Sequence, residues 1–191
     1  MTNTAQVPAG SSVVVIGTGG VGLNSIQGAA LSGAYPVIAV DVVDSKLVAA
    51  HAFGASHTLN PASTEPVSTI KGLTQGRGAD YVFVTVGSAT AIEQGLDFLR
   101  RGGTLVIVGM PATGSKSQFE GGNLAGDSQR ILGSKMGSTR LPVDVPKLVT
   151  LYQEGRLKLD ELITRRYPLA EINEAIAAVN RGEALRNVIV F

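Results

Sequence analysis

Four short runs in this chain are apolar at nearly every position: Val13-Val14-Val15-Ile16, Val37-Ile38-Ala39-Val40, Tyr81-Val82-Phe83-Val84-Thr85-Val86 and Leu105-Val106-Ile107-Val108. A strand with one face in water alternates apolar and polar residues. A run without that alternation is covered on both faces, as in a parallel sheet between layers of helix. The stretches between the runs predict helices over about 20–33, 45–53, 65–75 and 89–100. Strand and helix alternating on this period predict βαβ units, hence an α/β fold with a doubly wound parallel sheet. His57-Thr58-Leu59 is a weaker strand, short and half polar, as suits a sheet edge. Gly102-Gly103 after Leu99-Arg100-Arg101 reads as a helix end with a left-handed glycine cap. Residues 109–128, rich in Gly, Ser and Pro, read as loop.

Beyond residue 137 the pattern changes. Val145, Leu148, Val149 and Tyr152 fall at i, i+3, i+4, i+7, one apolar helix face, and Ile172, Ala175, Ile176 and Val179 repeat it. Leu162-Ile163 and Val188-Ile189-Val190-Phe191 read as short strands. The βαβ rhythm is expected to stop here. Residues 1–137 then form one domain, and 138–191 form part of another layer whose packing partner lies outside the chain.

A length of 191 residues allows one full domain and part of a second. Lys and Arg number 16 against 15 Asp and Glu, a net charge of +1. Nucleic-acid binding and polybasic membrane attachment both need a concentrated positive field, so neither is expected. The absence of cysteine excludes a disulfide scaffold, a cysteine-ligated zinc and a thiol nucleophile. The opening MTNTAQVPAGSS has neither the basic start nor the apolar core of a signal peptide. No apolar run reaches the roughly 20 residues that span a bilayer, and a cytoplasmic chain is expected. Charged residues make up 16 %, below the usual ~25 %. Two readings stay open: a surface covered by another domain or subunit, or simply a Val/Ala-rich core.

Gly17-Thr18-Gly19-Gly20-Val21-Gly22 fits G-x-G-x-x-G, directly after a buried strand and at the start of a helix. In that setting Gly17 permits the tight turn, Gly19 lets backbone approach a pyrophosphate, and Gly22 lets helix and strand pack closely. The helix start adds unpaired N–H groups and a positive dipole end. Asp41 ends the second strand, 19 residues after Gly22, where an acid accepts hydrogen bonds from adenosine ribose hydroxyls. A carboxylate there repels a 2′-phosphate, so NAD is expected over NADP. Asp41 as a plain helix-starting residue is the rival. Lys46 is placed to reach the same ribose; by itself it reads as a solvated surface lysine.

No catalytic constellation accompanies the loop. His51 and His57 are six residues apart without a cysteine or paired acids nearby, and both read as structural or solvated. The residues four beyond Tyr35, Tyr81, Tyr152 and Tyr167 are Ala39, Thr85, Arg156 and Glu171, so no Tyr-x-x-x-Lys pair exists. G-x-S-x-G and Walker lysine motifs are absent as well.

GTGGVGLNSIQGAALSGAYPVIAVD, DFLRRGGTLVIVGMP and VDVPKLVTLYQEGRLKLDELITRRYPLAEINEAIAAVNRGEALRNVIVF, in this order and spacing, resemble the C-terminal half of zinc-dependent medium-chain alcohol dehydrogenases. The resemblance spans essentially the whole chain. It implies a six-stranded Rossmann cofactor domain followed by a tail that completes a catalytic domain. It also implies roles for particular residues. Gly17, Gly19, Gly20 and Gly22 hold the pyrophosphate, and Val21 lies close to the nicotinamide. Asp41 and Lys46 match the ribose-binding residues, and Val42 lines the adenine cleft. Val86 and Gly87 end the fourth strand beside that cleft. Val108, Ser134 and Met136 match positions whose backbones hold the nicotinamide carboxamide. Arg186 matches an arginine that reaches the pyrophosphate, with a surface charge before a strand as its alternative.

The zinc ligands and proton relay of that family lie in a GroES-like part not found among these residues, so no metal ligand is expected here. The resemblance thus implies a chain that binds NAD(H) and by itself catalyses little, within a family that interconverts alcohols with aldehydes or ketones. A homodimer or larger assembly is expected, with an edge contact around Ser115 to Leu124. Two other readings remain: a non-enzymatic nucleotide-sensing module, which the tail speaks against, and the cofactor domain of a zinc-free quinone reductase, which Asp41 disfavours.

Overall fold

The apolar runs become the centre of a sheet. The computed structural model describes all 191 residues. Strands β1 (Val13–Ile16), β2 (Val37–Val40), β3 (His57–Leu59), β4 (Ala79–Val84), β5 (Leu99–Ile107) and β6 (Arg130–Gly133) lie in the order β3-β2-β1-β4-β5-β6. All neighbours are parallel, with Val13 beside Val37 on one side and Tyr81 on the other. Helices α1 (Gly20–Leu31), α2 (Asp44–Ala52), α3 (Pro66–Leu73), α4 (Ala89–Asp97) and α5 (Gly121–Gly126) connect them. This is the doubly wound order whose direction reverses between β1 and β4.

Every residue of β1 and β2 is buried, as runs without polar positions require. On one face Val14, Ile38, Val82 and Leu105 meet Ile70 of α3 and Ile92 of α4. Burying each such side chain stabilises the fold by about 1.5–3 kcal/mol relative to exposure. Helix starts are set locally. Both Glu65 carboxylate oxygens accept N–H groups of α3, from Val67 at 3.1 Å and Ser68 at 2.7 Å, with proline at the helix start.

Several sequence expectations need correction. The helix expected to reach residue 100 stops at Asp97, and Leu99 already belongs to β5. Ala79 donates to the Phe98 carbonyl at 2.8 Å, drawing the chain into the sheet before the glycines. Gly102 does adopt φ +72°, but within the irregular start of a strand, not at a helix cap. The fourth strand ends at Val84, so Val86 and Gly87 lie beyond it. The Val84 carbonyl takes the N–H groups of both Val108 and Gly109 at 2.9 Å, and that crowding closes the ladder. The segment 109–128, expected as loop, contains α5.

The chain divides into two units, Met1–Thr139 and Arg140–Phe191. The second contains α6 (Leu141–Gln153), β7 (Ile163–Pro168), α7 (Ile172–Asn180) and β8 (Arg186–Val190). Strands β7 and β8 are parallel, so this unit is itself a βαβ element with its own two-stranded sheet. The expectation that the rhythm ends at 137 is therefore wrong. Polar Thr164, Arg165 and Arg166 disguise β7, in which only Tyr167 is buried, with the Arg165 guanidinium 4.6 Å from its ring centroid. Leu157, Leu162, Ala175 and Ala178 complete this small core. The predicted helix-face residues Val145, Leu148, Val149, Ile176 and Val179 are all exposed. No helix is long and apolar enough to cross a membrane.

Candidate functional site

Because all six strands run the same way, their carboxyl ends share one edge, where ligands of open α/β sheets bind. The glycine turn leaves β1 there, Asp41, Val42 and Lys46 follow β2, Val86 and Gly87 follow β4, Val108 follows β5, and Ser134 and Met136 follow β6. One topological edge thus gathers all but one of the residues singled out from the sequence. Arg186 lies in the second unit, exposed at the start of β8, and is considered apart from this group.

Two glycines are dictated by space. Gly17 has φ +88°, and a Cβ on it would lie 2.4 Å from Val86 Cγ1. A Cβ on Gly22 would lie 1.8 Å from the Gly17 carbonyl oxygen, so the first turn of α1 rests directly on the strand end. Gly19 is the opposite case: a Cβ there meets nothing within 4 Å, leaving open space over the turn. Helix α1 starts without a side-chain cap and without an acid in its first turn. Its first amide groups have no intrahelical acceptor, and the positive end of its dipole is uncompensated.

Asp41 is half-buried and held on one side. Its Oδ2 accepts from the Thr18 N–H at 2.7 Å and the Thr18 hydroxyl at 2.9 Å, and its Oδ1 accepts from the Val43 N–H at 3.0 Å. No lysine or arginine pairs with it. A carboxylate has about four lone-pair positions, so one position on Oδ1 stays open. Along this edge of the sheet several apolar side chains remain in solvent, among them Val42 after β2 at 67 % and Met136 after β6 at 79 % exposure. Apolar groups left open at the end of the sheet form a surface suited to flat ring faces.

Ser134 is buried; its N–H donates to the Ile107 carbonyl at 2.9 Å. Its hydroxyl lies 3.0 Å from that of Thr4, itself 2.8 Å from the Ser138 hydroxyl, and these contacts fix the turn after β6. Three positions escaped the sequence reading. Thr18 sits in a slot that the glycine pattern leaves unspecified. The Thr85 hydroxyl reaches the carbonyls of Gly17 at 2.8 Å and Ile16 at 3.0 Å, tying β4 to the turn. Gly109 packs so closely that a Cβ would lie 2.4 Å from the Val86 carbonyl. None has a periodic or motif signal, although Gly109 follows an apolar run.

His51 and His57 bond to near neighbours, Nδ1 of His51 to the Ala55 carbonyl at 3.0 Å, Nε2 of His51 to the Thr58 hydroxyl at 3.4 Å and Nδ1 of His57 to the Ser56 hydroxyl at 2.9 Å. No group of three His, Cys, Asp or Glu side chains comes together to hold a metal ion.

Comparison with known proteins fits this geometry. The family model described as zinc-binding dehydrogenase matches residues 20–154, and the chain belongs to that family. It is 36 % identical to the class-3 alcohol dehydrogenase of Cereibacter sphaeroides over 99 % of its own length and 52 % of that protein's. It is 39 % identical to the NDMA-dependent alcohol dehydrogenase of Amycolatopsis methanolica, over 96 % and 50 %. Among solved structures, benzyl alcohol dehydrogenase from Acinetobacter calcoaceticus superposes with a TM-score of 0.94 at 36 % identity, over 98 % of this chain and 51 % of that one. A zinc-binding dehydrogenase from Sinorhizobium meliloti, solved bound to NADP, gives 0.81 at 30 % identity, over 91 % and 50 %. The chain spans about half the length of the curated relatives it matches.

Proposed function

We propose that this chain binds NAD(H) and forms the cofactor-binding half of an NAD-dependent alcohol dehydrogenase. The observation that carries the reading is the pairing of an uncapped helix start over Gly19 with a one-sided, uncompensated Asp41 carboxylate. The first fits a pyrophosphate and the second a vicinal diol. NAD supplies the hydride acceptor for alcohol oxidation. The chain's own work is to bind and orient: the Gly17–Gly22 turn and its amides on the phosphates, Asp41 and Lys46 on the adenosine ribose, Val42, Val86 and Gly87 beside adenine. Val21, Val108, Ser134 and Met136 take the nicotinamide end.

In this reading residues 1–137 are the cofactor domain and 138–191 belong to the catalytic domain. The family's zinc does not fit these residues, which contain no cysteine and no ligand cluster. A small alcohol or aldehyde is the proposed substrate of the complete enzyme. Self-association is proposed through an edge contact around Ser115–Leu124, and a cytoplasmic location goes with the same reading. The NADP held by the Sinorhizobium meliloti relative makes cofactor choice the point to test. Calorimetric titration with NADH and NADPH is expected to show NADH binding with NADPH at least about tenfold weaker. Binding of neither, or preference for NADPH, overturns the proposal.

A further inference from the structure

We infer that Thr18 is a positioning residue that sets the cofactor preference by holding the Asp41 carboxylate. The inference rests on the NAD(H) reading above and adds to it the group that makes Asp41 selective. Thr18 is fully buried, whereas Asp41 is only half-buried, so the two Thr18 donors reach Oδ2 from the protein side and leave the outward side of the carboxylate to a ligand. The N–H alone fixes one contact. The hydroxyl adds a second on the same oxygen, and the Val43 N–H pins the other oxygen at 3.0 Å. Three donors at these positions oppose rotation about the carboxylate's bond to Cβ.

Rotation matters for discrimination. A free carboxylate can swing away from a 2′-phosphate and dilute the repulsion in water, whereas a pinned one cannot. No lysine or arginine forms an ion pair with Asp41, so its carboxylate is not neutralised by a direct partner. A ribose diol, by contrast, donates into the open Oδ1 position without displacing Thr18. The hydroxyl of Thr18 therefore acts mainly against the wrong cofactor. Leucine or valine satisfies the glycine motif at this slot equally well but lacks the donor.

The test is the ratio of NADPH to NADH dissociation constants, by calorimetry on the full chain, for the native protein, Thr18→Val and Thr18→Ser. Valine keeps the buried shape without the hydroxyl, and serine restores the donor. Thr18→Val is expected to narrow the ratio by about three- to tenfold, chiefly by strengthening NADPH binding, while Thr18→Ser stays within about twofold of native. A merely structural threonine weakens both cofactors alike and leaves the ratio unmoved. That result overturns the inference while leaving the NAD(H) reading intact. Absence of NADH binding by the native chain overturns both. If Thr18→Val does not fold, Thr18→Ala removes the same donor, and an unchanged ratio there is equally decisive.

Discussion

Asp41 and Asp80 stand at opposite ends of one sheet and are held by the same device. In each, one hydroxyl residue donates both its N–H and its O–H to a single carboxylate oxygen: Thr18 to Asp41 at 2.7 and 2.9 Å, Ser12 to Asp80 at 2.8 and 2.7 Å. The difference lies in the second oxygen. In Asp80 it is taken by the Arg100 guanidinium, which also neutralises the charge. In Asp41 it meets one backbone N–H and no cation. Asp80 is a closed clamp joining β1, β4 and β5 where the strands begin. Asp41 is the same clamp left open where the strands end. What separates the two carboxylates is the counter-ion, not a different local motif.

Breaking the open end most severely means filling Gly22. Gly22→Val drives a side chain into the Gly17 carbonyl, and a loss of about 3 kcal/mol or more in unfolding free energy is expected, read by urea denaturation. Next comes the closed clamp. Asp80→Ala strands Arg100 and two Ser12 donors, and a loss of about 1–3 kcal/mol is expected in the same assay. The ratio of NADPH to NADH affinity in that variant stays native, which separates clamp from site. Asp41→Asn removes the charge and keeps the shape. The expected result is a loss of most of the cofactor discrimination, about tenfold or 1.4 kcal/mol, with a smaller change in stability; an unchanged ratio would refute the assignment of Asp41.

A subtler contrast is pH. Burial pushes the Asp80 carboxyl up, but the Ser12 N–H, the Arg100 guanidinium and the Ser12 hydroxyl together outweigh it and hold the group below the ordinary carboxylate range. A depressed folded value means its stabilisation is complete above the unfolded value of about 3.9 and is lost as pH falls through the folded one. Melting temperature against pH should therefore drop on the acid side in the native chain, with that component flattened in Asp80→Asn. The smallest effect is expected at Arg181, whose ion pairs with Glu174 and Glu183 lie at the surface. Arg181→Ala should leave the melting temperature within experimental error, because solvent screens exposed pairs.

How much of this was written in the residues varies by element. Val13–Ile16 and Val37–Val40 announce buried parallel strands because nothing polar interrupts them, and the turn after β1 is announced by Gly17 and Gly22, where only glycine fits. Strand β7 was legible only at its start, in Leu162-Ile163; its exposed positions carry Thr164, Arg165 and Arg166, so local composition hid the rest of the pairing with β8. The ends of α4 and β4 were misplaced for a related reason. The Phe98 and Val84 carbonyls are claimed by residues 19 to 25 positions away, and no local pattern records such a partner.

Local chemistry by itself determined the strand-turn-helix unit, its glycine loop and the acid after β2. These depend on residue size, charge and short-range periodicity. The folded chain alone decided that Asp41 is open while Asp80 is closed. Both are aspartates beside apolar runs, and only the approach of Thr18 to one and of Ser12 and Arg100 to the other, across 23, 68 and 20 residues of chain, tells them apart. Hydrogen bonding and charge compensation act over a few ångströms of space, whatever the distance along the chain.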